Sequence, residues 1–170
     1  MVKNLCSLLA QKIESLNRGL YYAGSLAILL AAFVLTYEVI VRHILRVPTI
    51  WEIEFSVYLI IMATYLGAAY GLKDGAHIRI DVVVRLLPEE FRRKLFLVTS
   101  LFSLAFCMIL AWKGWEMWWE ATSKGWRSES LWGPPLTIPY IFLPLGMTLL
   151  SLQYLILIVG LMRRGETHGS

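Results

Sequence analysis

A chain of 170 residues that is 58% hydrophobic and only 16% charged, with a mean hydropathy of +0.62, has too few charged side chains to cover a soluble surface. Its net charge of +4 and pI near 9.2 do not call for nucleic acid, because the cations sit in clusters between apolar runs long enough to cross a bilayer. Anionic membrane phospholipid is the partner such clusters fit.

The first 19 residues carry Val2, Leu5, Leu9, Ile13 and Leu16 at helical spacing, with Lys3, Lys12, Glu14 and Arg18 on other faces. This pattern predicts an amphipathic helix lying on the inner leaflet and leading into an uncleaved anchor. The first apolar run, Leu20–Val41, is broken only by Glu38 near its end. A short outer loop with Arg42 and Arg46 follows. The second run, Trp51–Leu72, opens with Glu52 and Glu54, whose carboxylates suit the positive end of a helix dipole or an ion pair with Arg42 or Arg46. Ala63, Gly67 and Gly71 then recur every four residues, a small-residue stripe that lets another helix approach closely.

Between the second and third runs, His77, Asp81 and Arg85 would share one face of a helix over residues 76–87, with Ile80, Val83, Val84 and Leu87 on the other and Arg79 among them. An inner interfacial helix is predicted there, and Pro88 suits the first position of the next helix. The third span covers about residues 95–115. Seven tryptophans, at 51, 112, 115, 118, 119, 126 and 132, all fall at or beyond the proposed outer boundary, where indole prefers the headgroup zone. Their density between 112 and 132 predicts a third helix that projects outward and meets a partner. The fourth span, 137–162, holds Pro144, which cannot bond back to Tyr140, so a kink is predicted near Gly146.

Four spans put 1–19, 73–94 and 163–170 on one side with Lys3, Lys12, Arg18, Lys73, Arg79, Arg85, Arg92, Arg93, Lys94, Arg163 and Arg164. The other side holds Arg42, Arg46, Lys113, Lys124 and Arg127. That bias orients both termini to the cytoplasm. The expected fold is a single all-α integral membrane domain over 1–170, with four transmembrane helices plus interfacial amphipathic helices, N-in and C-in.

Several chemistries lack their residues. Cys6 and Cys107 fall in different compartments, and there is no CxxC. His43, His77 and His168 all lie outside the spans, so haem, zinc and other cofactors have no ligand set, and no residue is assigned a catalytic role. A carrier needs polar groups at mid-membrane, but only Thr64, Ser100, Ser103, Ser151 and Gln153 are there, and hydroxyls in membrane helices commonly bond back to their own carbonyls. A small exporter would want an ionisable group deep in the first span, whereas Glu38 is within four residues of its outer boundary. A redox-enzyme anchor would want histidines in its spans. A helper subunit fits the pattern better than either.

Four segments in order carry a family resemblance over roughly residues 20–160. They are Trp51-Glu52-Ile53-Glu54; Leu66-Gly67-Ala68-Ala69; Ala76-His77-Ile78-Arg79-Ile80-Asp81 with Leu87-Pro88; and Pro135-Leu136-Thr137-Ile138-Pro139-Tyr140 with Leu143-Pro144-Leu145-Gly146. The chain resembles the small, DctQ-like membrane subunit of the tripartite ATP-independent periplasmic (TRAP) transporters. The family pattern of Trp followed three residues later by Glu falls on Trp51 and Glu54, with Glu52 an addition. The resemblance implies a scaffold beside a large polytopic subunit that carries organic acids inward, typically with sodium, after a periplasmic substrate-binding protein captures them. On this reading Ala63, Gly67, Gly71, Pro144 and Gly146 are subunit-interface candidates. Trp51, Glu54, Arg42, Lys124 and Arg127 would face the periplasm, and His77, Arg79, Asp81 and Arg85 would lie at the inner headgroups.

Overall fold

The computed structural model describes residues 2–73 and 88–166, and in them the fold is helical, with one isolated bridge, between Arg127 and Pro135, in place of any strand. Helix α1 runs Val2–Ile40 and passes into a π-helical turn, Val41–Leu45. Helix α2 is Glu52–Lys73, α3 is Glu89–Ser123, α4 is the single turn Thr137–Tyr140, and α5 is Phe142–Glu166. The predicted inner helix at 76–87, with His77, Arg79, Asp81 and Arg85, lies outside the described residues.

Three helical stretches among the described residues are long and apolar enough to cross a membrane: Ser15–Leu45, Lys94–Ser123 and Thr137–Leu161. They contain three of the four predicted runs. The run Trp51–Leu72 folds as α2, which is 22 residues long but is not one of the three.

Helix α1 continues without a break for 39 residues, about 58 Å at 1.5 Å per residue, through the boundary predicted at residue 19. Asn17 is 1% exposed, and its Nδ2 donates to Gln153 Oε1 of α5 at 3.2 Å. The helical path is interrupted at Ile141, between α4 and α5. Pro144 has no N–H to return to the Tyr140 carbonyl, so the helix loses continuity one turn before the proline, and Leu145 N–H resumes the ladder to Ile141 O at 3.2 Å.

The helices stand in the order α1, α2, α5, α3. Helix α1 lies along α2, α2 along α5 and α5 along α3, while α1 touches α5 only lightly. Small residues set these contacts. A Cβ on Gly24 would sit 3.2 Å from Ala63 Cα, so α1 and α2 approach nearly backbone to backbone. A Cβ on Gly114 would sit 3.2 Å from the Pro144 ring, and one on Gly146 would overlap the Tyr65 carbonyl. Leu72, Cys107 and Leu150 meet in a small core where α2, α3 and α5 converge. The ends of this order are poorly covered. Only 17% of the most apolar stretch of α3 is buried by its own chain, against 28% for α5. Val98, Leu101, Phe102, Phe106, Ile109 and Trp112 are all exposed.

Candidate partner-contact surfaces

Among the described residues, several hydroxyls on the helices are engaged locally. Thr36 donates to Ala32 O at 2.7 Å, Thr64 to Ile60 O at 2.8 Å, Thr99 to Leu95 O at 2.9 Å and Ser151 to Met147 O at 2.8 Å. Each bond satisfies a side chain in an apolar setting and leaves it unavailable to a substrate. Among the described residues, three glutamates gather at one end of the helices.

At that end, Glu38 is buried on the last turn of α1. Arg42 Nη2 reaches its Oε1 at 3.2 Å, and Thr49 Oγ1 lies 3.3 Å from Arg42 and 3.5 Å from Glu38. Arg42 is thus tied to Glu38, one turn back on its own helix, in place of the alternative pair with Glu52 or Glu54. Glu52, 4% exposed, instead accepts the Trp51 N–H at 3.0 Å, the first-turn capping role open to it in the sequence. Trp51 stands partly exposed beside Phe55, ring centroids 5.8 Å apart.

Glu54 reaches further. Tyr58 donates to its Oε1 at 3.2 Å, and Ser130 of the loop between α3 and α4 donates to its Oε2 at 2.5 Å. That loop, 124–136, is closed on itself. Trp126 N–H bonds Ala121 O at 2.9 Å, Leu136 N–H bonds Trp126 O at 3.0 Å, Ser128 N–H bonds Pro134 O at 3.0 Å, and Gly133 N–H bonds Ser130 Oγ at 3.1 Å. Gly125 at φ +63° and Gly133 at φ +58° supply the left-handed turns that this path needs. The loop holds a depression of about 460 Å³ lined by Trp126, Arg127, Ser128, Glu129 and Leu136, and its tip presents Leu131 at 93% exposure. Lys124 pairs with Glu120 at 2.6 Å, and Arg127 is exposed at the depression.

The five small-residue candidates divide. Ala63, Pro144 and Gly146 are buried in contacts with α1, α3 and α2 of the same chain. A Cβ on Gly67 would meet nothing within 4 Å, so this position has room to receive another helix. Gly71 is half-buried. Three residues of these networks were not singled out in the sequence. Asn17 was hidden by its place in an amphipathic pattern. Thr49 and Ser130 sit in turns whose partners, 11 and 76 positions away, no local signal reveals.

Residues 31–164 match the family described as tripartite ATP-independent periplasmic transporters, DctQ component. The chain is 28% identical over 159 residues to the C4-dicarboxylate TRAP transporter small permease protein DctQ of Vibrio cholerae, covering 79% of this chain and 65% of that one. It is 33% identical over 131 residues to the ectoine TRAP transporter small permease protein TeaB of Halomonas elongata, covering 77% of this chain and 67% of that one. A third relative is the isethionate TRAP transporter permease protein DctMQ of Oleidesulfovibrio alaskensis, 24% identical over 139 residues; the match takes in 78% of this chain and only 21% of that much longer protein. The chain therefore spans about two thirds of the length of the small permeases and about a fifth of the long one. With its membrane-length helices and the match over residues 31–164, the chain belongs to the DctQ component family of the TRAP transporters, as a multi-pass inner-membrane transport component and not an enzyme.

Proposed function

We propose that the chain is the fixed scaffold of a secondary TRAP importer of organic acids, docking to a large polytopic subunit that carries the substrate with sodium, and served by a periplasmic substrate-binding protein. The observation that carries this reading is the placement of polar groups. Thr64 and Ser151 spend their hydroxyls on carbonyls of their own helices, while the carboxylates Glu38, Glu52 and Glu54 gather at one end around a braced loop. A chain with wide uncovered apolar flanks is suited to hold another membrane protein in place. Relatives named for C4-dicarboxylate, ectoine and isethionate transport support small organic solutes as the cargo, and the long DctMQ permease supports joint work with a large permease partner.

In this reading α2 is the fourth span. It packs between two membrane-length elements, α1 and α5, and at 22 residues is about 33 Å long. Four crossings put both termini on one side, and the excess of Lys and Arg there makes that side the cytoplasm, with the α1–α2 turn and the 124–136 loop facing the periplasm. Trp51, Glu54, Lys124 and Arg127 then form the outer contact surface, and Gly67 and Gly71 the close-approach positions for the large subunit. Deleting the gene from its native cell should abolish uptake of the cognate acid, and restoring this chain without the large subunit should not recover it. Transport by the purified chain alone in liposomes would overturn the scaffold reading in favour of a self-sufficient carrier.

A further inference from the structure

The turn joining α1 to α2 has a composition that neither water nor acyl chains would tolerate alone. No residue of the π-helical turn Val41–Leu45 is buried, and Ile44, Leu45, Val47, Ile50 and Ile53 are each half or more exposed. Arg42, His43 and Arg46 are interleaved with them and also exposed. A soluble loop would not present five large aliphatic side chains in ten residues. A loop immersed in hydrocarbon would not carry two guanidinium groups.

Only the headgroup layer accommodates both, with aliphatic side chains reaching toward the acyl chains and arginines lying at the level of the phosphates. The turn is also held in shape. Thr49 bridges toward Glu38 and Arg42, and Glu38 grips one edge of the Arg42 guanidinium at 3.2 Å. Arg46, in the left-handed conformation at φ 55°, ends the π turn four residues further on.

We infer that this turn is a binding site for the headgroup phosphate of a phospholipid, with Arg46 as the principal anion ligand and the free edge of Arg42 assisting. Guanidinium donates two parallel hydrogen bonds to a phosphodiester, and the flanking aliphatic residues favour a phosphate that carries acyl chains. The occupant is therefore a membrane lipid rather than free phosphate or an acidic protein surface. The site rests on the membrane reading of the chain and not on assembly with a large subunit, so it is tested on the isolated protein.

The experiment is native mass spectrometry of the full chain, delipidated in detergent and titrated with phosphatidylglycerol, with inorganic phosphate as competitor. Wild-type protein should retain the lipid, and millimolar phosphate should not displace it. Arg46→Ala should weaken retention about tenfold, the scale of one charge-assisted hydrogen bond, while Arg46→Lys should fall between. Arg127→Ala, in the other loop at this end, should bind as wild type. Helicity and melting temperature of each variant are measured alongside, so a fold defect is visible. Undiminished retention in Arg46→Ala, equal loss in Arg127→Ala, or displacement by inorganic phosphate would each overturn the assignment.

Discussion

Ser130 and Glu54 are 76 positions apart and joined by a 2.5 Å hydrogen bond that fixes the 124–136 loop to the first turns of α2. The serine hydroxyl serves twice, since it also accepts the Gly133 N–H at 3.1 Å. Ser130→Ala removes both bonds, which are exposed, at a cost of about 0.5–1.5 kcal/mol. Amide exchange at Gly133 should speed up by up to about tenfold, while exchange in the α2–α5 contact stays as it was. Unchanged protection at Gly133 would show that the loop is held by its backbone bonds alone.

Gly146 and Gly67 both belong to the small-residue set, yet they should answer differently to enlargement. Gly146 has the Tyr65 backbone against it, so Gly146→Ala must push α5 from α2 and should lower stability by about 1–3 kcal/mol, read as a fall in melting temperature in detergent. Gly67 faces open space, so Gly67→Leu should melt as wild type. If that space receives the large subunit, Gly67→Leu should still lose the partner on purification. A melting point lowered in Gly67→Leu would mean the position is internal to this chain's own packing.

The Asn17–Gln153 bond ties the N-terminal part of α1 to α5. Bonds of this kind between membrane helices contribute about 0.6 kcal/mol on average and up to about 1.7. Asn17→Leu or Gln153→Leu alone strands a buried amide, whereas the double variant removes both and should recover part of the loss. A double-mutant cycle in denaturant or thermal unfolding checks this. Strict additivity would show that the two amides contribute independently.

The apolar runs were plain in the sequence because a membrane-spanning stretch is set by composition over some 20 residues, a signal that survives without tertiary information. The capping role open to Glu52 and the back-bonding of Thr64 and Ser151 were legible for a similar reason, being interactions within one turn of a helix. What spacing could not decide was which partner a feature meets. Ala63, Pro144 and Gly146 read as close-approach positions, but whether the approaching helix belongs to the same chain depends on which helices end up side by side. Arg42 had two carboxylates within reach in the sequence, and the structure gives it a third, Glu38, because i and i+4 meet on a helix. Asn17 was masked by an amphipathic pattern that a tertiary contact overrides.

The central claim, that this chain is a scaffold for a larger membrane partner, is tested most directly by affinity purification of the tagged chain in mild detergent from its native cells, with mass spectrometry of what accompanies it. The account predicts a large polytopic permease in near-stoichiometric amount, lost in the Gly67→Leu variant. A chain that emerges alone from gentle cross-linking, with uptake intact in cells lacking any such permease, would contradict it.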